Sequence, residues 1–168
     1  MRYPHFVIGP PERPYLLRWY LTPWSAEWVR RMAPPWLERW LRRLPNAYVH
    51  RIVRSDDDRA LHDHPWWNVS IVLWGRYREV MPTSQAQHPM HDFSEGGTFT
   101  RNVRALVPRL RRATDAHRIE LTHGACWTLF LTGPKVRDWG FRCRQGWVPW
   151  QRFVSSNNRG EIGRGCEA

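Results

Sequence analysis

From Asn46 onward, apolar and polar residues alternate in short runs. "AYVHRIVR" (47–54), "NVSIVLW" (68–74), "RYREV" (76–80), "HRIEL" (117–121), "CWTLFLT" (126–132) and "VRDWGFRC" (136–143) are rich in Val, Ile, Trp, Phe and Tyr, and each is bounded by Gly, Pro, Asp or Asn. Successive side chains of an extended strand fall on opposite faces, so many short strands at close spacing predict an all-β barrel or sandwich. The first 46 residues follow another period. Trp24, Trp28, Val29 and Met32, then Trp36, Leu37, Trp40, Leu41 and Leu44, recur at helical spacing with arginines opposite, and Pro34-Pro35 separates the two predicted short helices. The pattern divides the chain into a helical cap over 1–45, a barrel over 46–154 and a tail over 155–168 that lacks an apolar face and is expected to be mobile. Residues 81–102, polar and containing Pro, Ser, His and paired Gly, read as a long insertion between strands. No internal repeat is visible.

Composition narrows this picture. A chain of 168 residues, 42% hydrophobic and 24% charged, suits one domain with a single enclosed core. The net charge of +11, from 26 Lys+Arg against 15 Asp+Glu, favours anionic partners without choosing among nucleic acid, acidic lipid and small carboxylates or phosphates. The 12 tryptophans suit core, pocket wall or interface. Cys126, Cys143 and Cys166 are odd in number, widely spaced and without a C-x-x-C pair, so neither a disulfide framework nor a zinc ribbon is expected. Cys126 and Cys143 sit in β runs and read as buried thiols. A reducing, cytoplasmic setting follows as an expectation. The apolar run Phe6 to Ile8 is cut off by Gly9-Pro10-Pro11, too short for a signal-peptide core, and nothing approaches membrane-spanning length.

The chemistry concentrates in "RALHDHPWWNVSIVLWGRYREV", residues 59–80. His62 and His64, two apart on a strand, aim both imidazoles at one point, as a metal site requires. On an unbroken strand Trp66, Asn68 and Ser70 share their face, with Pro65 able to interrupt the parity. Gly75 predicts a tight turn into "RYREV", a hairpin whose inward positions include Tyr77 and Glu79. His117 alternates with Arg118 on the same face as Ile119 and Leu121, so it points inward on its own strand.

The order H-x-H, three residues, an acid, six residues, Gly is the first cupin motif, spelled here as His62, His64, Asn68 and Gly75 with the spacing intact. "RATDAHRIEL" looks like the second motif, with His117 at its metal-binding position. Over roughly residues 46–153 the chain therefore resembles the RmlC-like cupin superfamily, particularly small bacterial and phage cupins of unassigned function. The resemblance implies a double-stranded β-helix, or jelly roll, whose two motifs together hold one divalent metal. Two departures stand out: Asn68 replaces the usual glutamate ligand, and Arg112 and Thr114 replace the second motif's Pro and Gly. Three histidines still suit Fe(II), the preferred ion, with Zn(II), Ni(II) and Mn(II) as alternatives. On this reading Asn68 is a weak ligand or orients a metal-bound water, Trp66 and Tyr77 line a substrate pocket, and Glu79 is a general base.

These expectations describe a metal-dependent cupin, of which a three-histidine iron dioxygenase is the sharpest version, acting on a small anionic molecule. The rival is a non-catalytic ligand-binding cupin with a basic docking surface. Homodimerisation is open, a membrane partner is not indicated, and nucleic acid is the weaker candidate, because the basic and aromatic residues of 101–112 and 133–150 also suit a barrel wall. "SDDDR", residues 55–59, reads as a loop whose aspartates accept backbone N–H groups rather than a cation site. His88, His91 and His123 read as solvated, and His5 and His50 show no pattern.

Overall fold

A computed structural model describes residues 3–56, 60–83, 97–155 and 161–167. The alternation after Asn46 becomes strands where it was expected: β3 (Asn46–Ile52), β5 (Asn68–Trp74), β6 (Tyr77–Pro82), β9 (Arg118–Leu121) and β10 (Cys126–Thr132). β10 lies between β3 and β5, antiparallel to both, with Phe130 opposite Tyr48 on one side and Ser70 on the other. β8 (Arg109–Arg111) closes that edge against β5 and sets Arg111 opposite Asn68. Facing this layer are two three-stranded sheets, one ordered β7 (Thr98–Val103), β6, β9, the other β12 (Gly146–Pro149), β11 (Gly140–Cys143), β4 (Leu61–His62). The fold is antiparallel and all-β, and along β5 Asn68, Ser70 and Val72 point inward. Val72, Tyr77, Val103 and Cys126 pack into one buried cluster beneath the partly buried Ile119 and Leu121. Fully burying side chains of this size contributes about 1.5–3 kcal/mol each.

Several expectations need correction. The first 20 residues are not a helical cap, because β1 (Phe6–Ile8) and β2 (Leu16–Tyr20) extend the main sheet in the order β1-β2-β3-β10-β5-β8. Leu16 and Trp19 are buried there, which is what draws β2 onto β3. Within residues 1–45, helix is confined to a 3-10 turn at Pro23–Ser25, α1 (Glu27–Met32) and α2 (Pro35–Leu41). α2 buries no residue, and Trp36 and Trp40 stay exposed, so its apolar stripe does not face the core.

No hairpin forms at Gly75 either. β5 pairs with β10 and β8, whereas β6 pairs with β7 and β9, so the chain changes sheets at this point. Gly75 has φ of +83°, and a Cβ there would meet the Ala125 carbonyl oxygen at 2.9 Å; the crossing needs glycine. The run from Val136 becomes strand only at Gly140, because Val136 and Arg137 donate their N–H groups to the Pro65 carbonyl instead.

The tail is tied down where it is described. Cys143 and Cys166 form a disulfide, so Cys143 is not the free thiol expected, and Val154 bridges Ile162. Sequence could not pair two cysteines 23 residues apart; the turn of helix α3 (Trp150–Phe153) brings the chain back to β11. Cys126 is buried and free, and burial pushes its thiol up to about 11. Asp57, Asp58 and Arg59, together with His88 and His91 of the expected insertion, lie outside the described residues. No helix among the described residues is long and apolar enough to cross a membrane.

Candidate metal centre

Two strand contacts set the histidines. His62 and His117 exchange backbone hydrogen bonds, each N–H donating to the other's carbonyl at 2.9 Å, while His62 also sits opposite Phe141 of β11. The His64 N–H donates to the Ala113 carbonyl at 3.1 Å. Held extended on both sides, the H-D-H segment must alternate, and it does. Asp63 points away from the histidines: its Oδ1 accepts from the Gly140 N–H at 2.8 Å, and its Oδ2 accepts from Arg137 Nη1 at 2.6 Å and Trp147 Nε1 at 3.0 Å. The middle residue of the motif therefore locks β4 to β11 and β12. The outer two face the cavity.

The donor nitrogens of His62, His64 and His117 lie within 4.8 Å of one another, and His64 Nε2 and His117 Nε2 are 2.9 Å apart. Imidazole nitrogens bound to one ion at about 2.0–2.1 Å stand roughly 3 Å from each other, so the cluster needs little adjustment to close on a metal. Burial and the neighbouring His117 and His62 hold the His64 pKa well below its ordinary value, while burial and Arg111 bring that of His117 down to about 4 despite the opposing pull of Glu79. Both rings are neutral at pH 7 and offer lone pairs, the form a metal binds. Behind them stand carboxylates. Glu79 Oε1 is 2.7 Å from His117 Nδ1, a close but oblique contact, and Asp56 Oδ2 is 3.7 Å from His62 Nδ1. With Nδ1 turned toward an acid, Nε2 is the nitrogen left for the centre. The donor set fits a divalent ion.

Glu79 and Asn68 do not take the places expected of them. Glu79 is fully buried behind His117 and absent from the cavity wall, with Arg111 Nε donating to it at 2.6 Å and Arg101 Nη2 at 2.7 Å. Burial opposes its charge, but His117, Arg111 and Arg101 outweigh that and hold its carboxyl far below the usual range. A carboxylate so held is a poor proton acceptor for a molecule in the cavity; it positions His117 instead. Asn68 is also fully buried off the cavity, its Oδ1 accepting from Arg111 Nη1 at 3.4 Å. It anchors that guanidinium rather than reaching the histidines. Trp66 and Tyr77 do line the cavity, Trp66 stacking on His64 with centroids 5.0 Å apart and planes 14° from parallel. Asp56, of the aspartate run, accepts from the Ile119 N–H at 2.7 Å, as a backbone-binding acid would.

Arg111 was invisible to hydrophobic patterning. On β8 the usual order is inverted, with Leu110 72% exposed and Arg111 2% exposed, because the buried Glu79 needs a cation more than the core needs a leucine. Arg18, His50, Phe130 and Trp139 were missed as well. All four line a cavity of about 440 Å³ between the main sheet and the two smaller ones, with the three histidines on one side. Arg18 escaped notice because β2 lies in a segment whose dominant period is helical.

No protein-family model and no curated protein matches the chain. Solved structures do. An oxalate oxidase in complex with the substrate analogue glycolate superposes with a TM-score of 0.51 at 16% identity, over 90% of this chain and 64% of that one. HppE with Fe(II) and the alternative substrate (S)-1-HPP gives 0.48 at 9% identity over 76% and 54%, and DMSP lyase DddQ from Ruegeria pomeroyi gives 0.38 at 16% over 54% and 39%. The chain thus spans less than two thirds of each of these proteins. Identities this low speak for the fold alone, and the fold is that of the cupins.

Proposed function

We propose that this chain is a metal-dependent cupin acting on a small anionic molecule in its cavity, with His62, His64 and His117 as ligands of Fe(II). The observation that carries the reading is the convergence of three imidazole nitrogens, two of them 2.9 Å apart, on the wall of a cavity of about 440 Å³. Imidazole ligands bring no charge to a divalent ion, and Glu79, behind the His117 ring, is not on the cavity wall. An anion from solution supplies what the ligands lack. Bound Fe(II) with three protein ligands would provide open positions where O₂ and the substrate meet, and a dioxygenase places both oxygen atoms in its product without an external reductant. The surrounding residues serve that chemistry by orientation and exclusion of water. Glu79 fixes the His117 ring, Trp66 covers one face of His64, and Phe130 packs edge-on against Trp66 with centroids 5.6 Å apart.

The test is elemental analysis of protein purified without a His tag or chelator, beside His62→Ala and His117→Ala. Near-stoichiometric metal lost in both variants is expected, with iron identified and O₂ consumed once a substrate is added. No metal after anaerobic reconstitution with Fe(II), Mn(II), Ni(II) and Zn(II) would overturn the reading and leave a ligand-binding barrel.

A further inference from the structure

We infer that Arg18, positioned by His50, is a carboxylate-binding subsite in the same cavity, and that the ligand is an organic acid with an apolar body reaching from Arg18 toward the histidine cluster. The inference deepens the proposed function and rests on that cavity being where the ligand binds. Arg18 lines the cavity from β2, and its Nε donates to Nε2 of the buried His50 on β3 at 2.9 Å. His50 is neutral at pH 7, since burial and the adjacent guanidinium keep its pKa well below the ordinary value. It orients Arg18 without cancelling its charge. The guanidinium also lies over the rings of Tyr48, at 4.8 Å, and Phe6, at 6.0 Å. No carboxylate among the described residues pairs with it.

Arg111, fully buried, is neutralised by Glu79, and Arg137 by Asp63, whereas Arg18, half-buried on the cavity wall, has no such carboxylate among the described residues. A guanidinium set into a largely apolar wall without a counter-ion incurs a desolvation cost that a carboxylate, binding through a two-pronged pair of N–H···O bonds, would offset. Two rings lead from this cation toward the proposed metal: His50, and then Phe130, which lies 5.0 Å from His50 and 6.2 Å from His64, centroid to centroid. A ligand holding Arg18 and approaching the histidines therefore lies along Phe130, with Leu16, Ile52 and Phe141 also on the cavity wall. Those surfaces accept methylene or aromatic carbon and offer few hydrogen bonds. The class that matches is an amphipathic monocarboxylate.

Calorimetric titration of the purified protein with acetate, phenylacetate, 3-phenylpropionate and the neutral alcohol 2-phenylethanol tests this. The two aryl acids should bind more tightly than acetate, the alcohol should bind at least about tenfold more weakly than phenylacetate, and Arg18→Met should erase that preference while keeping its metal content. The alcohol comparison uses unaltered protein, so a variant that fails to fold does not remove the test. Equal binding of acid and alcohol, binding by none of the acids, or an unchanged preference in a folded Arg18→Met protein overturns the subsite. Arg18-dependent acid binding in a protein that takes up no metal keeps the subsite and removes the metal reading.

Discussion

The two walls of the cavity treat charge in opposite ways. On the histidine side the buried carboxylates of the described residues have their counterparts: Glu79 takes Arg111 and Arg101 and backs His117, while Asp63 takes Arg137 and the Trp147 N–H. On the opposite side Arg18 meets a neutral imidazole and two aromatic rings. The first wall is complete without a ligand and fixes geometry. The second is left open to one. Rigidity where donor atoms must be held and an unmet charge where a molecule must be recognised are complementary demands, and the protein meets them with different guanidinium groups, although Arg111 on β8 and Arg18 on β2 belong to the same sheet.

The sharpest way to break this contrast is to unbalance the completed wall. Glu79→Ala leaves Arg111 buried without its carboxylate and should cost about 3–5 kcal/mol in chemical denaturation. It should also weaken metal uptake by about 10–100-fold, because the His117 ring loses its backing. Little change in either quantity would mean that the network is incidental to the site.

Next in size is the tether of the tail. Val154, Glu161 and Ile162 sit on the cavity rim, and the Cys143–Cys166 bond closes a loop of 23 residues beside them. Cys166→Ser should lower stability by about 3 kcal/mol from the loop entropy it restores to the unfolded chain. Equal melting of oxidised and reduced protein would show that the rim holds itself in place.

The open wall carries a pH signature. The pKa of buried His50 is lowered in the fold, so below about 6.5 the unfolded chain takes up a proton that the native state refuses. Its contribution is present above that pH and is lost as pH falls, at about 1.4 kcal/mol per pH unit until the native ring itself protonates. Comparing denaturation of wild type and His50→Asn from pH 7 to pH 5 measures it; parallel pH dependences would show that His50 is not buried in its neutral form.

The smallest expected effect is the most discriminating. Arg18→Met exchanges an interior cation without a carboxylate for an apolar chain of similar reach, and stability should stay within about 0.5 kcal/mol or rise. A loss of several kcal/mol in a melting experiment would mean that Arg18 holds its wall together as Arg111 does.

Much was legible beforehand. The runs that became β5 and β10 were marked end to end by alternation, and the H-x-H spacing with an inward His117 identified the three histidines that the fold brings together. These are local properties, carried by strand periodicity and by a motif within a few residues of chain. What stayed hidden depended on distant partners. β1 and β2 were obscured by the helical period nearby and were recruited to the sheet by pairing with β3. The Cys143–Cys166 bond required α3 to turn the chain back, and the crossing at Gly75 depended on β5 and β6 having different neighbours. The roles of Glu79 and Asn68 turned on Arg111, a residue whose burial no alternation of apolar positions could signal. By itself, then, the sequence determined the strands β3, β5, β6, β9 and β10, the barrel class and the three histidines, because backbone geometry projects periodic side chains onto a face. Only the tertiary structure decided which charges meet and which remain open, because the partner of a buried ion lies tens of residues away and is chosen by packing.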